Sequence, residues 1–186
     1  MAEEGFARKT CSFYRYINID EPQALRDELY KEWFALRILG RVYLAAEGIN
    51  AQISVPEPHW DQFLETLNSR GVLAKMPLKH AVQEGQSFFK LAIRVKQELV
   101  AYNIPFNQYD MNHVGEHVNA FEFNEALDNP DSIAVDMRNY YESEVGQFKT
   151  AIIPDVETSR DLLPQVRHLL KGQEEKEVLL YCTGGI

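Results

Sequence analysis

Several things are scarce in this sequence. It has two cysteines, Cys11 and Cys182, in unrelated surroundings, which excludes a disulfide framework and points to a reducing cytoplasm. No apolar run approaches the roughly 18 residues that a membrane-spanning helix needs. Met1 to Thr10 is polar and mixed in charge, without the apolar stretch of a secretory signal. Internal repeats and low-complexity tracts are absent, as are an iron-binding facial triad, a flavin site and a nicotinamide fingerprint. An overall basic excess is missing too. The net charge is -9, and it lies in one half: residues 1–100 carry 13 Lys/Arg against 13 Asp/Glu, residues 101–186 carry 6 against 15. A polyanion would be repelled by the second half, so any polyanion contact is expected in the first.

What is present begins with an alternation of strand and helix signals. Ser12 to Asn18 is aromatic-rich and predicts a strand. Asp20 is placed to cap a helix, with Pro22 in its first turn and Gln23 in capping-box position. Leu25, Leu29 and Trp33 then form one apolar face. Residues 37–46 and 51–55 predict two strands of a hairpin, turning at Glu47-Gly48-Ile49-Asn50. Pro56 and Pro58 open a second helix, with Trp60, Phe63, Leu64 and Leu67 on one face and Gly71 just past its end. After an irregular stretch, residues 88–95 predict a last strand. The order β-α-β-β-α-β is that of the ferredoxin-like split βαβ unit, expected over residues 1–97. Cys11 falls within a strand and is expected in the core.

Residues 98–118, with Asn103, Pro105, Asn107, Asn112 and Gly115, predict a connector. From 119 to 186 short apolar strands near 133–137 and 177–181 are separated by helices near 120–127, 138–146 and 162–171, which argues for a parallel α/β sheet. Two or three strands cannot bury both faces of such a sheet, so this domain is expected to be the first part of a longer one. Cys182 follows the apolar strand Val178-Leu179-Leu180-Tyr181, where open parallel sheets place their ligands. Thr183, Gly184, Gly185 and Ile186 form an active-site loop candidate. Inward-turned N–H groups there would hold an anion, whether a thiolate or a persulfide. Cys182 is the catalytic candidate, and the other state of such a residue is a buried loop cysteine acting as a small hydrophobe. Asp136 and Arg138, at the end of the preceding strand, are pocket candidates or a structural ion pair.

The run Tyr181-Cys182-Thr183-Gly184-Gly185-Ile186 resembles the start of a rhodanese active-site loop, and Asp136-Met137-Arg138-Asn139, Glu142, Gly146, Phe148 and Ala151 resemble the rhodanese pattern upstream of it. Gln147 stands where many rhodaneses have His, and Pro154 comes one residue early. Joined to Phe13-Tyr14-Arg15-Tyr16, residues 40–45 and residues 47–54, these motifs resemble the tRNA uridine hydroxylase family over nearly the whole chain. The resemblance implies a ferredoxin-like domain followed by a truncated rhodanese-like domain, α+β then α/β. It implies hydroxylation of the wobble uridine of tRNA (position 34) at C5, with molecular oxygen as co-substrate and a Cys182 persulfide. The partner implied is tRNA. The remaining alternatives are a rhodanese-type sulfurtransferase working through Cys182 and a non-catalytic RNA-binding module.

His113-Val114-Gly115-Glu116-His117 matches the His-x-x-Glu-His zinc pattern, but Gly115 and the linker-like surroundings argue against the helix that pattern needs, so no metal site is expected. RNA-binding candidates are Lys79, Lys90, Arg94 and Lys96, with Lys75 and His80 in the same stripe, opposed only by Glu84. Phe88 and Phe89 lie among them as stacking candidates, and Arg37 and Arg41 are alternative contacts. The same pattern also describes a solvated strand face over core phenylalanines. Charge reversal at Lys90 and Arg94 is expected to weaken tRNA binding and flatten its salt dependence; unchanged binding across a salt series would remove the stripe.

Overall fold

Along the longer strands of the first half side chains alternate, mostly apolar to one face and polar to the other, and two helices cover the apolar face. The computed structural model describes residues 7–81, 88–105, 108–110 and 113–183, and it divides into two units, residues 1–99 and 100–186. The first unit runs β1 (Arg8–Tyr16), α1 (Pro22–Ala35), β2 (Leu39–Ala45), β3 (Gly48–Pro56), α2 (Trp60–Asn68), β4 (Lys79–His80) and β5 (Leu91–Val95). Its sheet has the order β4-β1-β3-β2-β5, antiparallel except that β5 runs parallel to β2. Cys11 and Phe13 of β1, Val42 and Leu44 of β2, and Ala51 and Ile53 of β3 meet Leu29, Trp33, Phe63 and Leu67 of the helices in one core. Trp33 packs edge-on to Phe13 and Phe63, and its Nε1 donates to Thr66 Oγ1 at 3.1 Å, so the largest core side chain is both buried and satisfied. Burial pushes the Cys11 thiol up to about 12, which makes it an inert core residue.

Several expectations are corrected. Glu21, not Asp20, precedes α1, and no side chain caps the helix; Gln23 reaches Asp27 instead. Pro22 brings no N–H to be capped, which lowers the value of a side-chain cap there. The hairpin turn is shorter than expected: Ala45 pairs with Gly48, leaving Ala46 and Glu47 as the loop, and residues 48–50 belong to β3. Before α2 a 3-10 turn occupies Glu57–His59. That helix ends on Ser69, and Gly71 starts another 3-10 turn without a left-handed φ. The last strand is Leu91–Val95, not 88–95, and it takes the edge beside β2. The edge beside β1 goes to the two-residue β4, from the stretch expected to be irregular. Gly40 N donates to the Lys90 carbonyl and Lys96 N to the Leu44 carbonyl, which extends the β2–β5 ladder at both ends.

The second unit contains α3 (Ala120–Leu127), β6 (Ser132–Asp136), α4 (Tyr140–Val145), α5 (Ser159–Leu169) and β7 (Glu177–Tyr181). β6 and β7 pair in parallel, and Ile152 bridges to Val135. Ile133, Val135, Leu162 and Val166 form the core, with Tyr102 from the expected connector packed against it. Asn119 accepts hydrogen bonds from the N–H groups of Phe121 and Glu122 while Glu122 accepts from that of Asn119, a capping box that starts α3. α5 begins three residues earlier than the apolar periodicity suggested, where Thr158 Oγ1 donates to Asp161. β7 is buried on one face only: Leu179 is inside, whereas Leu180 is 56% exposed. Val178, on the same side as Leu180, is 37% exposed, so that face of the two-stranded sheet is largely open among the described residues, as expected for so few strands. No helix is long and apolar enough to cross a membrane among the described residues.

Gly48 has φ +145°, and a Cβ there would lie 2.2 Å from the Arg15 carbonyl oxygen, whereas a Cβ on Gly71 would meet nothing within 4 Å. Gly48→Ala is therefore expected to destabilise the protein by about 3 kcal/mol, and Gly71→Ala by less than about 0.5 kcal/mol. Urea denaturation of both variants checks this; similar losses would contradict the assignment of the two glycines.

Candidate active site

β7 runs parallel to β6, so both strands end on the same side, and the chain leaves β7 directly into Cys182. Half-buried, Cys182 lines an open recess of about 430 Å³ together with Arg138, Glu142, Gly146, Gln147, Phe148, Tyr181 and Thr183. Neither cysteine of the chain is in a disulfide. Gly184, Gly185 and Ile186, expected to complete the anion-holding loop, lie outside the described residues.

Asp136 ends β6 with no solvent exposure, and its carboxylate is gripped from three directions. Arg138 donates twice, Nε to Oδ1 at 2.9 Å and Nη2 to Oδ2 at 2.7 Å, in the fork-on-fork geometry that suits a guanidinium. The Arg138 backbone N–H donates to Oδ1 at 3.0 Å, and Ser143 Oγ on α4 to Oδ2 at 2.8 Å. Burial alone would raise the carboxyl pKa; the hydrogen bonds from Arg138 and Ser143 outweigh it and hold the group at about 2. The same pairing raises the Arg138 pKa, so the pair is ionised at any working pH. Arg138 Nη2 also donates to the Gly146 carbonyl at 2.6 Å, and its guanidinium lies 5.4 Å from the centre of the Tyr181 ring. Tyr181, the residue before Cys182, meets Phe148 edge-on at 4.9 Å. Its phenol pKa is raised by burial and by the Asp136 carboxylate.

Beyond Cys182 the loop is tied back to α4. Thr183 Oγ1 donates to Glu142 Oε1 at 2.7 Å, and Glu142 Oε2 accepts from Asn139, at the start of the helix. Those bonds, led by the one from Thr183, lower the Glu142 pKa. Asp136, Arg138 and Cys182, singled out from the sequence, thus fall within one neighbourhood. Ser143 and Tyr102 were not singled out. Ser143 carries a signal only in retrospect, one helical turn past Asn139. Tyr102 has its phenol pKa raised, first of all by burial.

The cationic candidates separate. Lys79 and His80 lie on β4, at one edge of the first sheet; Arg94 lies on β5 at the other, flanked by Lys90 and Lys96. Four interstrand steps, about 19 Å, divide the two groups. Phe89 is 76% exposed and adjoins Lys90, while Phe88 is half-buried. Arg41 is exposed and donates to Gln52 at 3.0 Å; Arg37 and Lys75 are also exposed, both with positive φ. Glu84 lies outside the described residues. His113 and His117 sit in non-helical backbone, so their spacing does not bring both imidazoles to one helix face. No cluster of metal-holding side chains occurs among the described residues.

Residues 8–99 match the family model described as the UPF0176 acylphosphatase like domain, in agreement with the mixed sheet of the first unit. The whole chain aligns with the protein named tRNA uridine(34) hydroxylase of Leptospira interrogans at 46% identity, over 51% of that protein. Proteins of the same name align from Hamiltonella defensa at 45% identity over 53% of their length, and from Escherichia fergusonii at 44% over 54%. The chain is a homologue of the tRNA uridine(34) hydroxylases over its full length, and the family resemblance carried by its motifs is borne out. It spans about half the length of these curated relatives. Among solved structures, BlrP1 BLUF superposes on 52% of this chain and 67% of its own at TM-score 0.35 and 11% identity, a likeness too loose to argue from.

Replacing Asp136 by Asn leaves the guanidinium at the edge of the recess without its carboxylate, a loss of about 2–3 kcal/mol at neutral pH. The folded-state pKa is depressed, so the stabilisation is present above the unfolded value near 3.9 and disappears as pH falls through about 2. Denaturation curves of wild type and Asp136→Asn should therefore differ at pH 7, draw together as pH falls below about 4 and converge only below about pH 2; a gap independent of pH would remove the carboxylate's charge from the explanation.

Proposed function

We propose that this protein is a tRNA-modifying enzyme that hydroxylates the wobble uridine at C5, with molecular oxygen as co-substrate. The ferredoxin-like domain, residues 1–97, contacts tRNA. Residues 98–118 connect it to residues 119–186, the first part of a rhodanese-like domain whose Cys182 carries a persulfide. Cys182 is the catalytic residue, and Thr183, Gly184, Gly185 and Ile186 form its loop. The observation that carries this reading is the position of Cys182: it leaves the carboxyl end of a parallel strand and opens on a recess lined by Arg138, which is held by the buried Asp136. A thiol placed so is accessible to a substrate, unlike Cys11, which is 1% exposed. The names of the homologues support the reaction class. Arg138, committed to Asp136 and the Gly146 carbonyl, shapes the recess.

The test is nucleoside analysis of tRNA from a strain that lacks the gene and has no other route to the product. Full-length wild-type protein is expected to restore 5-hydroxyuridine derivatives, and Cys182→Ser to leave them at background. Full restoration by Cys182→Ser would reject the thiol's role and keep tRNA modification; no restoration by the wild type would reject the activity. Thiocyanate formed from thiosulfate and cyanide, without restored nucleoside, would assign sulfur transfer instead.

A further inference from the structure

We propose that the helix-free face of the first sheet is a platform for single-stranded RNA on which Tyr43 stacks an unpaired base. The inference rests on the tRNA reading above and names the surface and the form of nucleic acid involved. Val42 and Leu44 of β2 are fully buried in the core, so Arg41 and Tyr43, which alternate with them, stand on the opposite face. Pairing sets a row across that face: Tyr14 on β1, Asn50 on β3, Tyr43 on β2 and Arg94 on β5 lie opposite one another. The neighbouring row places Ser12, Gln52 and Arg41 side by side. Lys96 sits with its ammonium 5.3 Å from the Tyr43 ring centre, and Arg41, Gln52, Arg94 and Lys96 are exposed while Tyr43 is half-buried.

Charge selects the occupant. No strand of this sheet contains Asp or Glu, and Arg8, Arg41, Lys79 and Arg94 lie on its helix-free face, whereas Lys9, over the Trp60 ring, and Arg15, bonded to the Ala74 and Lys75 carbonyls, lie on the other. Among the described residues the unit's carboxylates fall on its helices and loops, as with Asp27, Glu28 and Glu32 on α1 and Asp61 and Glu65 on α2. A sheet face of aromatic rings, side-chain amides and cations has what an unpaired nucleotide needs: a π-face for the base, donors and acceptors for its edge, and cations for its phosphate. A ring at the level of a sheet cannot enter the stack of an A-form duplex, so the face is specific to unpaired bases. The two cationic groups on opposite edges become the two flanks of this surface.

The test measures binding of the chain to a labelled oligouridylate of about eight nucleotides and to a blunt RNA duplex. Tyr43→Leu keeps bulk on the sheet face and removes the π-face; it is expected to weaken oligouridylate binding about fivefold or more, leaving duplex affinity and the salt slope unchanged. Tyr43→Phe should remain within about twofold of wild type, because stacking does not use the hydroxyl. Arg41→Glu combined with Arg94→Glu alters only exposed side chains and provides an independent arm: affinity and salt slope should both fall, the slope by roughly 0.7 for each phosphate that is no longer neutralised. Wild-type affinity in Tyr43→Leu, an equal loss on the duplex, or an unchanged slope in the double charge reversal would each overturn the platform. Hydroxylation is decided separately by the nucleoside analysis, so nucleoside restoration with unaffected binding in Tyr43→Leu would reject this surface alone.

Discussion

A carboxylate with no solvent exposure costs several kcal/mol unless donors surround it, and Asp136 is surrounded. Its donors come from different pieces of the second unit: Arg138 in the turn after β6 and Ser143 inside α4. Through Arg138 the network extends to the Gly146 carbonyl and the face of Tyr181. One ion pair therefore holds the end of β6, the whole of α4 and the end of β7 in register. Cys182 inherits its position from that arrangement, because it follows Tyr181 without an intervening residue. For Arg138 a structural bond and a place in the recess are accordingly compatible: the guanidinium lines the recess while it stays committed to the buried Asp136.

The first unit is organised by apolar packing instead. Helices on one side of a five-stranded sheet bury Trp33, Phe63 and the inward residues of β1, β2 and β3, and leave the other side polar. That asymmetry separates the charges as well. Carboxylates are accommodated on the helices, where Arg70 reaches Glu28 and Glu32, while the strands keep only cations. An exposed edge strand such as β4 is short and carries Lys79 and His80, composition that resists pairing with another chain.

Local patterns were legible in the sequence where one signal decides the outcome. Helix Ala120–Leu127 and strand Glu177–Tyr181 have the expected bounds, because the first is stopped by Asp128-Asn129-Pro130 and the second is an apolar run between polar segments. Leu29 and Trp33 face inward as their spacing required. Long-range choices were not legible. The alternation in residues 91–95 says strand, yet nothing local says which edge it joins; that follows from β4, a two-residue strand too short for any periodicity. The row Tyr14-Asn50-Tyr43-Arg94 depends on register across four strands, which no single segment contains. At the site, the Asp136–Arg138 pair could be read from spacing and residue type, but Ser143 could not, since a serine in a helix has many commoner uses. The Asn139 and Glu142 capping arrangement had a signature that passed unused, whereas Asp20 with Gln23 had a similar one and no cap formed.

The electrostatics of the two units make the proposed division of labour physically coherent. Around Cys182 the Arg138 guanidinium is neutralised by Asp136, and Glu142 adds a carboxylate. The surrounding residues 101–186 hold 6 Lys/Arg against 15 Asp/Glu. An acidic recess of this kind disfavours a phosphate backbone more than an uncharged base, in keeping with the proposed reaction at a base. Affinity for the backbone must then be supplied elsewhere, since phosphate contacts dominate nucleic-acid binding. The carboxylate-free strands of the first unit are the part of the chain suited to supply it. A cationic site at the thiol would instead attract the backbone, so the acidity of the second unit fits the proposed placement of a base, not of a phosphate, at Cys182.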